Sequence, residues 1–222
     1  MKKFVIIISL FALSISQLTA QNYNELFFVF LNNNPDKEKI SESEVATLQA
    51  KHLKNIEKLA EEGKILTAGP FEGGGGMFII SAKDRFQAWD YLETDPAIKA
   101  NRFNIEVLPY EIWSGELGSP KKPYNMVNYQ FIRLISNPNF QGDENNLIHD
   151  NRIFMGELMR DNEEVLIYGF FSEYNDGMVV INGSKEFAEQ LIKEHGSIKA
   201  GQLTYEIKTL YVAKGSFVNT LH

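Results

Sequence analysis

The sequence predicts an α+β fold built from two similar βαββαβ units in tandem. Three observations support this prediction. The tetrad A-I-K-A at residues 97–100 returns as S-I-K-A at 197–200, and each tetrad leads into a long alternating strand pattern. The run at residues 65–71 returns in looser form at 165–171. A period this long indicates a duplicated small domain, because solenoid repeats run to roughly 20–50 residues.

In the first unit, strand and helix patterns follow one another in the order expected of βαββαβ. Ser41 and Glu44 form a capping box before a helical pattern that Gly63 ends. Asp84 caps a second helix, which stops before Pro96. The predicted elements are a strand at 26–31, a helix at 43–62, strands at 64–68 and 77–81, a helix through 86–92, and a strand at 103–113.

The second unit repeats this order after a segment rich in turn-forming residues. Its predicted elements are a strand at 129–135, a helix at 144–160, strands at 165–170 and 178–181, a helix through 187–193, and a strand at 203–212. Residues 114–125 hold two glycines and two prolines without apolar periodicity, which indicates a linker. The predicted domains are therefore 21–115 and 126–222, with 116–125 between them.

Each βαββαβ unit is expected to place two helices on one face of a four-stranded antiparallel sheet, the ferredoxin-like arrangement. The other face would be mostly apolar and has to be covered. Because two units lie on one chain, we predict that their sheets pack together as an intrachain pseudo-dimeric α/β barrel. The alternative is two independent domains that each dimerise with another molecule.

The first twenty residues have the layout of a secretory signal peptide. Lys2 and Lys3 precede an apolar run at 4–15, and small and polar residues lead to a predicted cleavage site after Ala20. The alternative, a membrane anchor, is less consistent because the run is shorter than the ~20 residues needed to span a bilayer. We therefore predict an exported protein, periplasmic or released, without membrane association after cleavage.

Charge and composition exclude several classes of function. Removing residues 1–20 takes away two lysines and no acid, so the net charge of −7 becomes −9. This balance argues against nucleic acids and anionic membrane surfaces as partners. The chain has no cysteine, hence no disulfide or thiolate ligand. Its four histidines lack metal-site spacing, and the sequence predicts neither a metal nor a cofactor.

His52 is the first candidate for chemistry. It lies in the middle of a helical apolar stripe formed by Val45, Leu48, Ile56 and Leu59, so helical geometry directs it towards the core. A partly buried imidazole needs a hydrogen-bonding partner, and its charge changes near neutral pH. The alternative is a core histidine satisfied by the backbone. Aligning Leu59 with Leu158 places Asn151 opposite His52, or Arg152 if the alignment shifts by one residue.

Asp95 is the second candidate. It follows the second helix, and His195 occupies the matching place in the second unit. Aspartate before proline is also common turn chemistry, which is the alternative explanation. If both helices lie on one sheet face, Asp95 can hold the His52 imidazole in one tautomer and raise its basicity. No nucleophile has a distinctive setting nearby, so the pair favours proton transfer over covalent catalysis.

Three separated motifs of the first unit resemble those of the YCII-related domains. They are A-K-H-L at 50–53, A-G-P-F at 68–71, and D-P at 95–96 followed by I-K-A at 98–100. The resemblance spans most of residues 26–113 and continues weakly across 129–213. It implies ferredoxin-like units of the dimeric α/β-barrel superfamily, with a pocket that contains His52 and Asp95 and has Gly69 and Pro70 in its wall.

We add Phe71 and Glu72 to the predicted ligand-binding wall, with an exposed acid as the alternative for Glu72. Most YCII-related domains have no assigned reaction. The few that do resemble enzymes of small ring compounds, for example in the dehydrochlorination of a chlorinated hydroquinone. The second unit departs at both key positions, so we predict it to be a degenerate copy that serves as pairing partner.

Two main functional hypotheses follow. In the first, the protein is a cofactor-independent lyase or isomerase in which the His52–Asp95 pair moves a proton on a small compound. In the second, it is a non-catalytic module that binds a small ligand or a partner. A third option is a structural domain whose pocket is filled by side chains. A homodimer of the whole chain stays open in each case.

Overall fold

The computed structural model describes residues 24–141, 144–171 and 176–222. The predicted signal peptide, residues 1–20, lies outside the described residues. Within the described ranges, no helix has both the length and the apolar character needed to cross a bilayer.

The elements occur in the predicted order in both units. The first unit contains β1 (Glu25–Asn33), α1 (Glu42–Glu61), β2 (Ile65–Pro70), β3 (Gly76–Ala82), α2 (Arg85–Leu92), α3 (Pro96–Lys99) and β4 (Phe103–Ser114). The second contains β6 (Met126–Ser136), α4 (Glu144–Asp161), β7 (Val165–Phe171), β8 (Asp176–Ile181), α5 (Lys185–Lys193), α6 (Gly196–Lys199) and β9 (Leu203–Ala213). The repeated tetrads therefore form α3 and α6, two one-turn helices that the sequence patterns did not separate from the neighbouring elements.

The eight long strands form one sheet that joins the two units. Its order is β2-β3-β1-β4-β7-β8-β6-β9, with β4 antiparallel to β7. The outer strands also meet, because Phe71 forms an antiparallel bridge with Leu210 beyond the end of β2. The sheet thus closes on itself, and each unit covers the apolar face of the other. This arrangement confirms the predicted intrachain α/β barrel rather than two independent domains.

Aromatic side chains from both units fill the interior of the barrel. Phe28 and Phe30 of β1 lie against Phe131 and Phe171 of the second unit, with ring centroids 5.2–5.9 Å apart. All four rings are almost completely buried. Burial of each such side chain contributes about 1.5–3 kcal/mol. In each unit, one further apolar cluster lies between the sheet and the helices.

The two seams between the units require a glycine at equivalent positions. A Cβ atom on Gly69 would come within 2.6 Å of the Tyr211 carbonyl oxygen on β9. A Cβ atom on Gly169 would come within 2.6 Å of the Glu111 carbonyl oxygen on β4. Gly69 and Gly169 are therefore explained by the close approach of the strands at the seams.

The predicted linker at 116–125 is held against the rest of the molecule. It contains a short strand, β5 (Glu116–Leu117), which pairs with β10 (Phe217–Val218) near the C-terminus. Lys122 forms ion pairs with Glu57 and Glu61 on α1. The sequence pattern did not indicate this strand, because its partner lies about a hundred residues away and leaves no local periodicity.

Candidate functional site

The inner face of α1 is only partly covered. The predicted capping box at its start is present, with Ser41 and Glu44 bonding each other's backbone. Of the predicted apolar stripe, however, only Leu59 is fully buried beside His52, and Val45 is 45% exposed. The stripe predicted from periodicity therefore packs on the sheet at its C-terminal end. Its N-terminal half instead borders an open cavity.

The structure brings His52 and Asp95 together in the first unit. The His52 Nδ1 atom lies 2.8 Å from Asp95 Oδ2, and the two residues are 7% and 2% exposed. The other carboxylate oxygen, Oδ1, accepts a 2.8 Å hydrogen bond from the backbone N–H of Ala97 at the start of α3. Asp95 therefore fills both of the roles weighed from sequence, as a helix cap and as the partner of the imidazole.

This geometry selects one tautomer of the neutral imidazole. An ionised carboxylate only accepts hydrogen bonds, so His52 Nδ1–H is the donor and Nε2 carries the free electron pair. Within the described part of the chain, Nε2 has no hydrogen-bonding partner. His52 also lines the cavity, so its basic nitrogen is available to a bound molecule.

Two aromatic rings and an amide fix the orientation of the pair. The centroid of the His52 ring lies 5.8 Å from that of Phe103 and 6.3 Å from that of Phe78. The Asn55 side-chain amide, one turn along α1, donates to Asp95 Oδ2 at 3.4 Å. Packing thus limits ring rotation, and hydrogen bonds hold the carboxylate, which is the preorganisation that an acid–base group needs.

The cavity next to His52 has a volume of about 570 Å³. Apolar side chains of α1, together with Phe78 and Phe103, form much of its wall. Gly69 and Pro70, which the sequence placed in the wall, do line it. Its size and mainly apolar lining are typical of sites for small organic ligands.

Phe71 and Glu72 require a correction, because the structure places both away from this cavity. Phe71 is buried inside the barrel, with its ring centroid 5.2 Å from that of Phe131. The Glu72 backbone N–H donates to the Thr209 carbonyl oxygen, and both residues border a smaller depression on the β9 side. The chain turns at the end of β2 to form the bridge to β9, so the wall of the cavity ends at Pro70.

The second unit preserves the helix cap but replaces the pair. His195 takes the place of Asp95, and its Nδ1 accepts a hydrogen bond from the Ser197 backbone N–H at 3.2 Å. Asn151 is buried in the place of His52 and accepts from the Ser197 hydroxyl. The alignment with Asn151, rather than Arg152, is the one that the structure shows.

His195 is set up as a neutral, structural histidine. Its ring packs 4.6 Å from that of Phe154, it is fully buried, and its Nε2 has no hydrogen-bonding partner among the described residues. Removal from water disfavours the charged imidazolium and lowers its pKa from 6.5 to about 4. The second unit therefore holds no equivalent proton-transfer pair.

Several residues of the cavity were not found from sequence. Lys37 and Arg102 line it beside His52, and Phe103 supports the imidazole. Lys37 lies between β1 and α1, and Arg102 directly precedes β4, so neither belongs to a periodic pattern. Within the described ranges, no three histidine and carboxylate side chains cluster in a way that suits a metal ion.

Comparison with known proteins agrees with this geometry. The family model of the YCII-related domain matches residues 26–111. Among solved structures, the chain is similar to a monooxygenase candidate from Fusobacterium nucleatum subsp. nucleatum, with 10% identity, a TM-score of 0.50, and coverage of 89% of this chain and 95% of the other. It is also similar to a chlorite dismutase candidate, with 9% identity, a TM-score of 0.53, and coverage of 88% and 95%. No curated protein matches the chain.

At such low identities, the two solved structures show the fold alone. The closed eight-stranded sheet shows an α/β barrel formed within one chain, and the similarity to these structures agrees with that fold. The family match ends at residue 111, and the origin of the second unit as a degenerate copy stays a prediction. The match to the YCII-related domain model covers most of the first unit, at residues 26–111.

Proposed function

We propose that the cavity of the first unit is an active site in which His52, oriented by Asp95, transfers a proton on a small organic compound. The observation that carries this proposal is the 2.8 Å bond from His52 Nδ1 to a buried carboxylate, with Nε2 left for the cavity. A histidine whose Nδ1–H is held by a carboxylate has Nε2 oriented to act as a general base.

The proposed reaction starts with the neutral imidazole. His52 Nε2 takes a proton from a C–H or O–H group of the substrate, and the negative charge of Asp95 stabilises the imidazolium that forms. In an elimination, the C–H electron pair becomes a π bond and the leaving group departs with its own pair. In an isomerisation, the same proton returns to a different atom of the substrate. In the isomerisation, His52 acts first as base and then as acid. After an elimination, the imidazolium releases its proton to water, which restores the neutral base.

The alternative is a non-catalytic module that binds a small ligand. The observation that favours it is the lining of the cavity, which, among the described residues, contains His52 but no carboxylate that could serve as a second acid–base group. In this case the His52–Asp95 bond would only position a hydrogen-bonding group for the ligand. The fold and the cavity are compatible with both functions.

The experiment that separates them is a turnover screen with His52→Gln and Asp95→Asn variants. The substrates are small ring compounds and their halogenated forms, including a chlorinated hydroquinone, with halide release and changes in ultraviolet absorbance as signals. Loss of a general base typically costs about 10²–10⁴-fold in rate. We therefore expect His52→Gln to lose at least about 100-fold.

The control is Asn151→Gln, which changes the equivalent helix position in the second unit and should leave turnover unchanged. Circular dichroism should show that all variants fold. A compound that His52→Gln converts at the wild-type rate would refute the catalytic role of His52. Binding of ring compounds without conversion of any of them would support the alternative.

We also propose that this site works after export of the chain. The support is the layout of residues 1–20, with two lysines, an apolar run and small residues before Gln21. Expression of the full chain in a bacterial host, followed by N-terminal sequencing of the periplasmic fraction, tests this. The expected product begins at Gln21, and an intact N-terminus on cytoplasmic protein would contradict it.

A further inference from the structure

The charged side chains that line the cavity next to His52 are cationic, although the protein is acidic overall. The net charge of the sequence is −7, yet the described lining of this cavity includes Lys37 and Arg102 and no carboxylate. Arg102 donates to the backbone carbonyl oxygen of Glu38. Among the described residues, neither cation forms an ion pair with a carboxylate. Two unpaired cations in the cavity that His52 also lines suit an anionic group.

A second cavity of about 570 Å³ continues from the first along α1. It lies between the C-terminal half of α1 and residues 117–126, and it includes Leu66 of β2. The lining residues that the two cavities share are Leu53, Ile56, Ala68, Tyr124 and Met126. The two spaces therefore adjoin along one side of α1 and form a single groove.

The groove gathers the exposed apolar surface of the molecule. Ten large apolar side chains are exposed in the described part of the chain. Half of them line this groove, namely Val45, Leu53, Leu66, Tyr124 and Met126. Leu53 is 56% exposed in the middle of the groove, although it lies on a helix that packs against the sheet. Apolar residues concentrated in a groove, rather than scattered singly, mark a binding site.

The charged side chains are distributed unevenly along the groove. At the far end, Glu57 and Glu61 line the second cavity and are both paired with Lys122. The unpaired positive charge therefore lies at the His52 end, and the apolar surface extends away from it. This order of groups matches a molecule with an acidic head and an apolar body.

We propose that the ligand of this site is an amphipathic anion. Its carboxylate or phenolate group lies between Lys37 and Arg102 beside His52, and its apolar body extends along α1 past Leu53 towards Leu66. This inference rests on the proposed function for the location of the site, and it adds the chemical class of the substrate. The anionic group also places the neighbouring carbon atoms of the ligand next to His52 Nε2.

The test is calorimetric titration with straight-chain carboxylates and the matched alcohols. The affinities of hexanoate, octanoate and decanoate show how binding depends on the length of the apolar chain. Comparison of octanoate with 1-octanol shows the contribution of the negative charge. Each buried CH₂ group is expected to raise affinity by about threefold to fourfold. We therefore expect decanoate to bind about tenfold more tightly than octanoate. Octanoate is expected to bind about tenfold more tightly than 1-octanol, because hydrogen bonds to charged groups are strong.

Variants assign these effects to the groove. The Lys37→Gln, Arg102→Gln double variant should lose the preference for octanoate over 1-octanol. Leu53→Ser should flatten the increase with chain length, and it changes an exposed side chain, so the fold is expected to persist. Lys185→Gln, which removes a charge from an exposed site on α5, is the control and should bind as the wild type does.

Equal affinity for octanoate and 1-octanol, or a charge preference that survives in the double variant, would overturn the inference. Absence of any dependence on chain length would overturn it as well. His52→Gln should keep decanoate binding. If that variant also keeps full turnover, the catalytic proposal fails while the ligand class stands. If turnover depends on His52 but the substrates prove neutral, the catalytic proposal stands and the proposed ligand class fails.

Discussion

The two units of this chain share a topology and differ in what they place beneath the first helix. In the first unit, a buried imidazole donates to a buried carboxylate at the start of α3. In the second, Asn151 and His195 occupy these positions and both bond to Ser197 of α6. In both units, the side chain that precedes the one-turn helix accepts a hydrogen bond from a backbone N–H group of that helix. The fold therefore requires a cap at position 95 or 195, and it does not require a histidine–aspartate pair.

The free-energy cost of burying the capping side chain differs between the two units. A buried carboxylate is costly unless it is hydrogen bonded, and Asp95 accepts bonds from His52 and from the backbone of α3. His195 carries no charge, and its cost is one unpaired ring nitrogen. The first unit thus maintains a charged group where a neutral one would cap equally well. This excess over the structural need is the reason to assign function to the first unit.

The largest expected effect comes from Asp95→Ala. This change removes the cap of α3 and the partner of His52, so the free energy of unfolding should fall by about 3 kcal/mol. Asp95→Asn keeps an acceptor for the cap and should cost about 1 kcal/mol. Urea denaturation of both variants measures the difference. Equal losses would mean that the cap kept by Asp95→Asn contributes nothing to stability, which would contradict the capping role of Asp95.

Transfer of the pair to the second unit should show that its two members depend on each other. His195→Asp places a buried carboxylate without an imidazole partner and should destabilise the protein by about 2 kcal/mol. Adding Asn151→His should recover about 1 kcal/mol or more of that loss. The measurement is a double-mutant cycle of urea midpoints. Strictly additive effects of the two changes would contradict the equivalence of the two sites.

The buried His195 predicts a smaller effect that depends on pH. Its folded-state pKa of about 4 is below the unfolded value of 6.5, so the unfolded chain binds the extra proton first. Stability is therefore complete above pH 6.5 and is lost as the pH falls towards 4, by about 1 kcal/mol at pH 5.5. His195→Asn, which keeps a capping side chain, should remove this difference between pH 7 and 5.5. An unchanged pH dependence in that variant would contradict the assignment.

Much of this comparison was predictable from the sequence. The repeated sequence pattern predicted both units and the barrel, because an apolar sheet face and a second βαββαβ pattern on one chain leave few other arrangements. His52 and Asp95 were found because helix periodicity and the order of elements place them on one side of the sheet. The structure then showed them to be in direct contact.

Other features required the coordinates because they depend on contacts that are distant in the chain. Phe71 faces the barrel because β2 meets β9 there, which no local pattern reveals. Gly69 lines the cavity, yet its lack of a side chain is explained by the same seam. Lys37 and Arg102 come from loops, where charge has no periodicity. The sequence thus predicts the elements, and the closure of the barrel determines which loop residues reach the site.

The ¹⁵N shifts of the His52 ring test most directly whether Asp95 holds His52 as a base that faces the cavity. For the neutral ring we predict protonation at Nδ1 and not at Nε2, and a loss of this tautomer preference in Asp95→Asn. The His195 ring provides an internal reference, since its Nδ1 accepts a hydrogen bond and its proton should lie on Nε2. A His52 ring protonated at Nε2, or one unaffected by Asp95→Asn, would contradict the account.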